Sequence, residues 1–346
     1  MKPIRTVGIV GYGTYIPCYR IKLSEIERIW KGKTESGTEE NAVPGLDEDV
    51  TTMAIEAAQN ALARAGVNGS DVSAVWVGSG SKPYAVKPAA TTVAEAIGAA
   101  PEVLSADFEF AFKAGTEAMQ AAVALVSSGM ARYALAIGSD VPQGAPGDDM
   151  EHNAASGAVA ILIGPEEEAI ALVEGSVSYA TDTPDIFRRS RQRHLEQGDR
   201  FTGEPAYFRH TQEAGKRLLA ELGRTPSDYQ MVVFHQPNPR FPQRAAKTLG
   251  FNPAQLKTGM IVNRIGNPYA ASSLLGLAAC LEVAKPGDKI FLVSYGSGAG
   301  SDAFSFVATD QIAKRCDVCP SIEDYIARRE EIDYATYVRY TGRLQE

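Results

Sequence analysis

Cysteine is scarce: four residues, Cys18, Cys280, Cys316 and Cys319, are spread over a chain of 346. So few and so uneven, they cannot make a disulfide framework. Cys316-Asp-Val-Cys319 lacks the second pair or the spaced histidines of a tetrahedral zinc site, so two reduced thiols and no metal are expected. No stretch approaches the roughly 20 apolar residues of a spanning helix. The opening Met-Lys-Pro runs directly into Val7 to Val10 and a glycine, which reads as a first strand rather than a secretion signal. No membrane is implied, and the cytoplasm is the expected compartment. Positive charge is also in deficit, with 34 Lys and Arg against 42 Asp and Glu and a formal net charge of −8. That balance, with the chain read as having no dense Lys/Arg run, argues against nucleic acid, which requires a clustered basic footprint.

What is present is the material of a globular α/β protein: 45% hydrophobic residues, 22% charged residues and 32 glycines. The length exceeds the roughly 100–200 residues of one domain, so two domains or two copies of one are expected. Comparison of the halves favours two copies. Met53 to Ala65 has helical spacing and leads through Ser70-Asp71 into the strand-like run Val75 to Val77; His210 to Leu222 leads through Ser227-Asp228 into Met231 to Phe234. Asp228 follows Asp71 by 157 positions, and Ile290 follows Tyr133 by the same 157. Around those last two lie helix-like Ala114 to Ser128 before Arg132 to Ile137, and Ala271 to Ala284 before Lys289 to Val293. A constant offset implies pseudo-twofold halves, 1–166 and 167–346, each a layered α/β sheet, with the small-residue helices Ala114 to Val126 and Ala271 to Val283 buried between the two sheets. The N-terminus of a buried helix collects unpaired N–H groups and the positive dipole end, which suit a thiolate or an oxyanion. The residues just before Ala114 and Ala271 are therefore the places to look for chemistry.

There the chain resembles a known family. Gly8-Ile9-Val10-Gly11-Tyr12-Gly13, Pro83-Tyr84-Ala85-Val86-Lys87-Pro88, Gln143-Gly144-Ala145-Pro146-Gly147-Asp148, the segment Arg200 to Phe208, Phe234-His235-Gln236-Pro237-Asn238 and the segment Gly296 to Asp302 are similar, in order, to the archaeal and bacterial 3-hydroxy-3-methylglutaryl-CoA synthases of the thiolase and ketoacyl-synthase superfamily. The resemblance implies a thiolase-like αβαβα fold and a coenzyme A thioester as ligand, with no covalently bound cofactor. In that family a cysteine takes the acetyl group, a glutamate serves as acid and base, and a histidine helps to bind and polarise acetoacetyl-CoA. The histidine corresponds to His235; Asn267 and Ser297 match further retained positions. The nucleophile's place in Phe-Ala-Cys-Lys-Ala-Gly-Thr is taken by Phe112 and the glutamate's by Gly80, while a usually hydroxylic position near the acyl group is Asn153. Arg200, Arg240 and Arg244 match basic positions that meet CoA phosphates or a substrate carboxylate, with Thr202 beside them.

Each assignment has a plainer alternative. Without the resemblance, His235 is equally well a satisfied strand-end histidine, the arginines are solvated surface, and Cys280 on its apolar helix is a core thiol. Tyr334, Tyr337 and Tyr340 in the tail Tyr325 to Gln345 are core packing or a partner contact.

A missing nucleophile costs on the order of a million-fold in turnover, so condensation by the family's route is expected to be absent. The resemblance then implies a non-catalytic subunit of an acyltransferase complex, with an acetyl-CoA acetyltransferase (thiolase) and a zinc-ribbon/OB-fold protein as partners and a homodimer inside the larger assembly. The alternative is an acyl-CoA enzyme working without a covalent intermediate through His235 and Asn267. Ordinary synthase activity is a third.

Overall fold

The computed structural model describes residues 1–31, 37–198, 201–314 and 318–343. The first half runs β1 (Val7–Tyr15), β2 (Tyr19–Lys22), α1 (Leu23–Trp30), β3 (Glu40–Val43), α2 (Val50–Ala65), β4 (Val72–Gly78), α3 (Ala89–Ala96), β5 (Leu104–Phe108), α4 (Ala114–Ser128), β6 (Tyr133–Asp140) and β7 (Gly157–Pro165). The second runs β8 (Ala171–Thr183), β9 (Ile186–Phe187), β10 (Glu196–Gln197), α5 (Arg209–Leu222), β11 (Met231–Phe234), α6 (Arg240–Leu249), α7 (Pro253–Lys257), α8 (Val262–Ile265), α9 (Ser272–Val283), β12 (Lys289–Val293), β13 (Gly298–Ala308), α10 (Ile322–Ala327), β14 (Glu330–Ile332) and α11 (Tyr334–Tyr340).

The repeat is visible in detail. α2 begins at a capping box, where the Asp49 side chain accepts from Thr51 N and Thr52 N, and it ends on left-handed Gly66. α5 ends on Gly223, also left-handed and 157 positions on, and each helix is followed by one turn of 3-10 helix, Gly69–Asp71 or Pro226–Asp228.

Strand faces alternate to make five layers. Leu135 and Ile137 of β6 face outward onto α2 and α3, and their neighbours Ala134 and Ala136 face inward. In the second half Val232 and Phe234 face α5 and α6 while Met231 and Val233 face inward. The shared middle layer is α4 and α9, whose Ala118, Met119, Ala122, Leu274, Leu277 and Ala278 are buried among the inner faces. The fold is thus the αβαβα arrangement that the resemblance implies, built from the two α/β copies expected from the offset.

The sheets are not separate, however. Gly8 pairs with Leu172 and Ile9 with Ala171, so β1 joins β8 and the strands form one nine-stranded sheet in the order β11-β12-β13-β8-β1-β7-β6-β4-β5. Such pairing between strands far apart in sequence leaves no signal in local periodicity.

The aromatic tail is packing rather than a free surface. β14 pairs in parallel with β2, and Tyr334 and Tyr337 are buried with Ile21, Ile26 and Val43. No helix among the described residues is long and apolar enough to cross a membrane.

Candidate functional site

Glycines bring the two inner helix starts together. A Cβ on Gly138 would meet Ala270 O at 2.4 Å, and one on Gly78 would meet the Ala114 carbonyl carbon at 2.2 Å, so only glycine lets the ends of β4 and β6 approach α4 and the turn before α9 this closely. No side chain caps the start of α4, and Ala111, just before it, has φ 41. Tyr269, just before α9, has φ 48. These two left-handed turns aim Phe112 and Tyr269 at each other, ring centroids 4.8 Å apart.

Beside them lies a cavity of about 290 Å³, lined by Phe112, Asn153, Thr202, His235, Asn267 and Ser297 together with Asp185, Tyr207, Tyr269 and Tyr295. His235 follows β11 and is fully buried; its N–H donates to Val293 O at 2.8 Å and its carbonyl accepts from the Tyr207 hydroxyl at 2.7 Å. Its ring is boxed by Phe112, Tyr207 and Tyr295, and neither ring nitrogen has a hydrogen-bond partner among the described residues. Burial pushes its pKa down to about 3, so the imidazole is neutral across the physiological range. A neutral, unpartnered imidazole on a cavity wall can donate one hydrogen bond and accept another, a combination suited to a carbonyl or a carbon acid but not to holding an anion by charge.

Asn267 is held by its backbone, which donates to Asn153 O at 2.7 Å and accepts from Ala155 N at 3.0 Å; its side-chain oxygen accepts from Tyr269 N at 3.0 Å, leaving the amide NH2 for a ligand. Ser297 Oγ, beside the Tyr295 hydroxyl, makes no hydrogen bond of ordinary geometry. Tyr295 donates to Asp185 Oδ2, and Asp185 Oδ1 accepts from Gly298 N at 2.7 Å. Burial and the neighbouring carboxylate push the Tyr295 phenol well above its usual range.

Two buried carboxylates brace the site. Asp302 of β13 accepts from Lys113 Nζ at 3.1 Å, Thr116 Oγ1 at 2.7 Å and Ser178 Oγ at 2.6 Å, tying the residue after Phe112 to the glycine-rich strand. Asp140 accepts from Ser79 Oγ, Gly80 N and Ser81 Oγ through one oxygen and from Ala270 N through the other, at 2.6–2.9 Å. Burial outweighs these donors and raises its pKa to about 6.

His235, Asn267, Ser297, Asn153, Thr202 and Phe112 therefore converge. Gly80 does not line the cavity: its loop is pinned to Asp140, and a Cβ there would face the Gln143 amide at 3.5 Å. Arg240, at the start of α6, and Arg244, one turn on, are exposed and off the wall; Arg244 pairs with Glu204 and lies 4.0 Å over the Phe208 ring. Arg200 and Cys316 lie outside the described residues. Cys319 donates to Asn60 O, Cys280 is buried inside α9 with its thiol pKa pushed up, and no group of three potential metal ligands occurs among the described residues.

Sequence reasoning missed Asp185 and Tyr295. Thr183-Pro184-Asp185 reads as a solvated turn, and Tyr295 stands one residue before the glycine-rich segment that drew attention. One reading is corrected outright. The net charge hides a dense basic run, with Arg188, Arg189, Arg191 and Arg193 within six residues.

Two α/β copies, two buried inner helices and a cavity where both helices begin define a thiolase-like protein. MvaS in complex with 3-hydroxy-3-methylglutaryl coenzyme A has this fold, with TM-score 0.89 at 22% identity over 97% of this chain and 92% of that one. So does the 3-oxoacyl-(acyl carrier protein) synthase III FabH from Pseudomonas aeruginosa, with TM-score 0.81 at 20% identity over 88% and 99% of the two chains. Residues 219–306 match the family described as 3-oxoacyl-(acyl-carrier-protein) synthase III C terminal. The sequence is 55% identical over 340 residues to a hydroxymethylglutaryl-CoA synthase of Pyrococcus horikoshii, covering 98% of this chain and 97% of that one. It is 52% identical over 346 residues to one of Methanosarcina mazei, covering 98% and 99%. The chain belongs to the hydroxymethylglutaryl-CoA synthase family.

Proposed function

We propose that this chain is a synthase-like subunit that holds an acyl-CoA but forms no acyl-enzyme, and that it works inside an acyltransferase assembly whose reactive thiol belongs to a thiolase partner bridged by a zinc-ribbon/OB-fold protein. The observation that carries the reading is Phe112, whose phenyl ring stands at the uncapped start of α4 against His235, where a thiol would be activated. A phenyl ring has no nucleophilic atom, and no cysteine lines the cavity. Thioester formation divides a condensation into two easier steps, and that division is lost here. The residues fit a thioester all the same: the neutral His235, the free NH2 of Asn267 and the Ser297 hydroxyl provide donors for an acyl oxygen. Bound CoA thioester would supply the activated acyl group.

A second reading has an observation of its own. His235 keeps both ring nitrogens unpartnered beside the Asp185–Tyr295 couple, an arrangement able to move a proton on a bound acyl-CoA with no covalent step. The discriminating experiment is acetyl-CoA turnover by the purified chain, alone and mixed with a thiolase and a zinc-ribbon/OB-fold protein. Activity only in the mixture, surviving His235→Ala and lost with the thiolase's cysteine, is the expected result. Turnover by this chain alone that disappears with His235→Ala would establish the second reading.

A further inference from the structure

The segment 148–153 supplies Asp149, Met150 and Asn153 to the cavity wall, and Asn153 O accepts from Asn267 N at 2.7 Å. The place of Asn267, and of the amide NH2 it keeps for an acyl oxygen, therefore follows the place of this segment. Glu151, in the middle of the segment, does not line the cavity. It is fully buried: one carboxylate oxygen accepts from Gly147 N at 2.7 Å, and the other from the Tyr334 hydroxyl at 3.1 Å and from Arg343 Nη1 at 2.6 Å. Arg343, 192 positions away, is the only cation paired with Glu151 among the described residues. Its side chain is 2% exposed, and its guanidinium lies 4.8 Å from the centre of the Tyr337 ring.

A carboxylate stays buried and charged only where a cation matches it and donors meet its lone pairs. Two of the three donors to Glu151, and its cation, come from the tail that α11 opens. Without them Glu151 has to take up a proton or move towards water, and either change releases the segment from its present path. At the far end Asn41 Nδ2 donates to His152 O at 3.1 Å and Thr38 Oγ1 to Asn153 Oδ1 at 3.2 Å. The segment is thus clamped from two sides, and the tail's side of the clamp is the charged one.

We infer that Arg343 is a positioning residue for the cavity: through Glu151 it fixes the segment 148–153, and through Asn153 that segment fixes the Asn267 amide on the acyl oxygen. The inference rests on the proposed acyl-CoA reading and adds to it a function for the C-terminal tail.

The test is calorimetric binding of acetyl-CoA and of free CoA to the full chain and to R343A, R343K, Y334F, N267A and the double variant R343A/N267A. Free CoA has no acyl oxygen, so the ratio of the two affinities reads the Asn267 contact, whereas a loss of stability alone lowers both affinities together. The wild-type chain is expected to prefer acetyl-CoA, and R343A to lose about fivefold of that preference, the worth of one hydrogen bond. R343K should keep most of it, because the contact to Glu151 is made through a single nitrogen. Y334F, which removes one donor and leaves the charge paired, should show a smaller loss of the same kind. In the N267A background R343A should change the preference no further. A preference unchanged in R343A, or reduced in R343A and N267A independently, overturns the inference and leaves the acyl-CoA reading intact. Should R343A fail to fold, a wild-type preference in Y334F overturns it as well. A wild-type chain that binds neither ligand, or binds both equally, overturns the acyl-CoA reading and the inference with it.

Discussion

The Phe112 ring lies almost parallel to the His235 imidazole, 14° between planes and 5.8 Å between centroids. The ring that shields the histidine from water also occupies the approach to it. On the proposed reading, the residue that leaves the helix start without a nucleophile is also the one that desolvates the imidazole.

Exchange of Phe112 for cysteine separates the two. The new thiol stands at the start of α4 beside a neutral imidazole able to take its proton, so F112C is expected to acquire an acetyl group from acetyl-CoA, seen as an acetyl mass increment on the peptide containing residue 112, whereas the wild-type chain acquires none. The smaller side chain leaves a void costing about 3 kcal/mol of stability. An F112C chain that folds, binds acetyl-CoA and remains unlabelled would show that the helix start no longer activates a thiol.

The pH dependence of stability carries two terms of opposite sign. His235 has its pKa depressed from 6.5 to about 3, so the unfolded chain binds the extra proton and stability falls as pH drops from about 6.5 towards 3, by at most about 1.4 kcal/mol per pH unit. Asp140 is raised from 3.8 to about 6; the folded chain binds the extra proton, and its contribution is full below about 3.8 and lost as pH rises through 6. Denaturant titrations across this range should show His235→Gln flattening the acid-side loss and Asp140→Asn steepening it. Identical slopes in wild type and His235→Gln would mean that water reaches the imidazole.

How far the architecture could be read in advance follows from where its signals are stored. Buried strands leave apolar runs, so the helices and strands at the 157-residue offset, and with them the αβαβα layering, were legible. His235, Asn267 and Ser297 were found through motifs, and the cavity does bring them together. Asp185 and Tyr295 were not found, because a carboxylate in a Pro-Asp turn looks solvated until the fold buries it. Gly80, where the resemblance puts the acid/base group, is held through its backbone by Asp140, which is silent in the sequence as one more strand residue. Charge summed over the chain concealed the arginine loop, since a total contains no positions.

We propose that the homodimer expected from the sequence pairs through β5, the edge of the nine-stranded sheet beyond β4, which has no counterpart in the second half. Leu104 there is 55% exposed, and the unpaired strand edge invites a second copy. Leu104→Lys is expected to shift the chain from dimer to monomer in light scattering at micromolar concentration, with little change in unfolding temperature at high protein dilution. A dimer that persists would place the interface elsewhere.

The buried Lys113–Asp302 pair tests how the two halves hold the site. Lys113 is 2% exposed and Asp302 is fully buried, and the pair ties the start of α4 in one half to β13 in the other. Asp302→Ala leaves Lys113 with the partly exposed Glu117 as its remaining carboxylate and takes an acceptor from the Thr116 and Ser178 hydroxyls, so it should cost about 3 kcal/mol in denaturant unfolding. The loss should also appear in ligand binding, because Thr116, Ser178 and Ser294 converge on the same carboxylate and on its strand, which begins directly after Ser297. The double variant Lys113→Met with Asp302→Leu removes both charges together and is expected to regain most of the stability. If acetyl-CoA affinity returns with it, the pair serves the fold alone; if stability returns and affinity does not, the ion pair also sets the position of the cavity wall around Ser297.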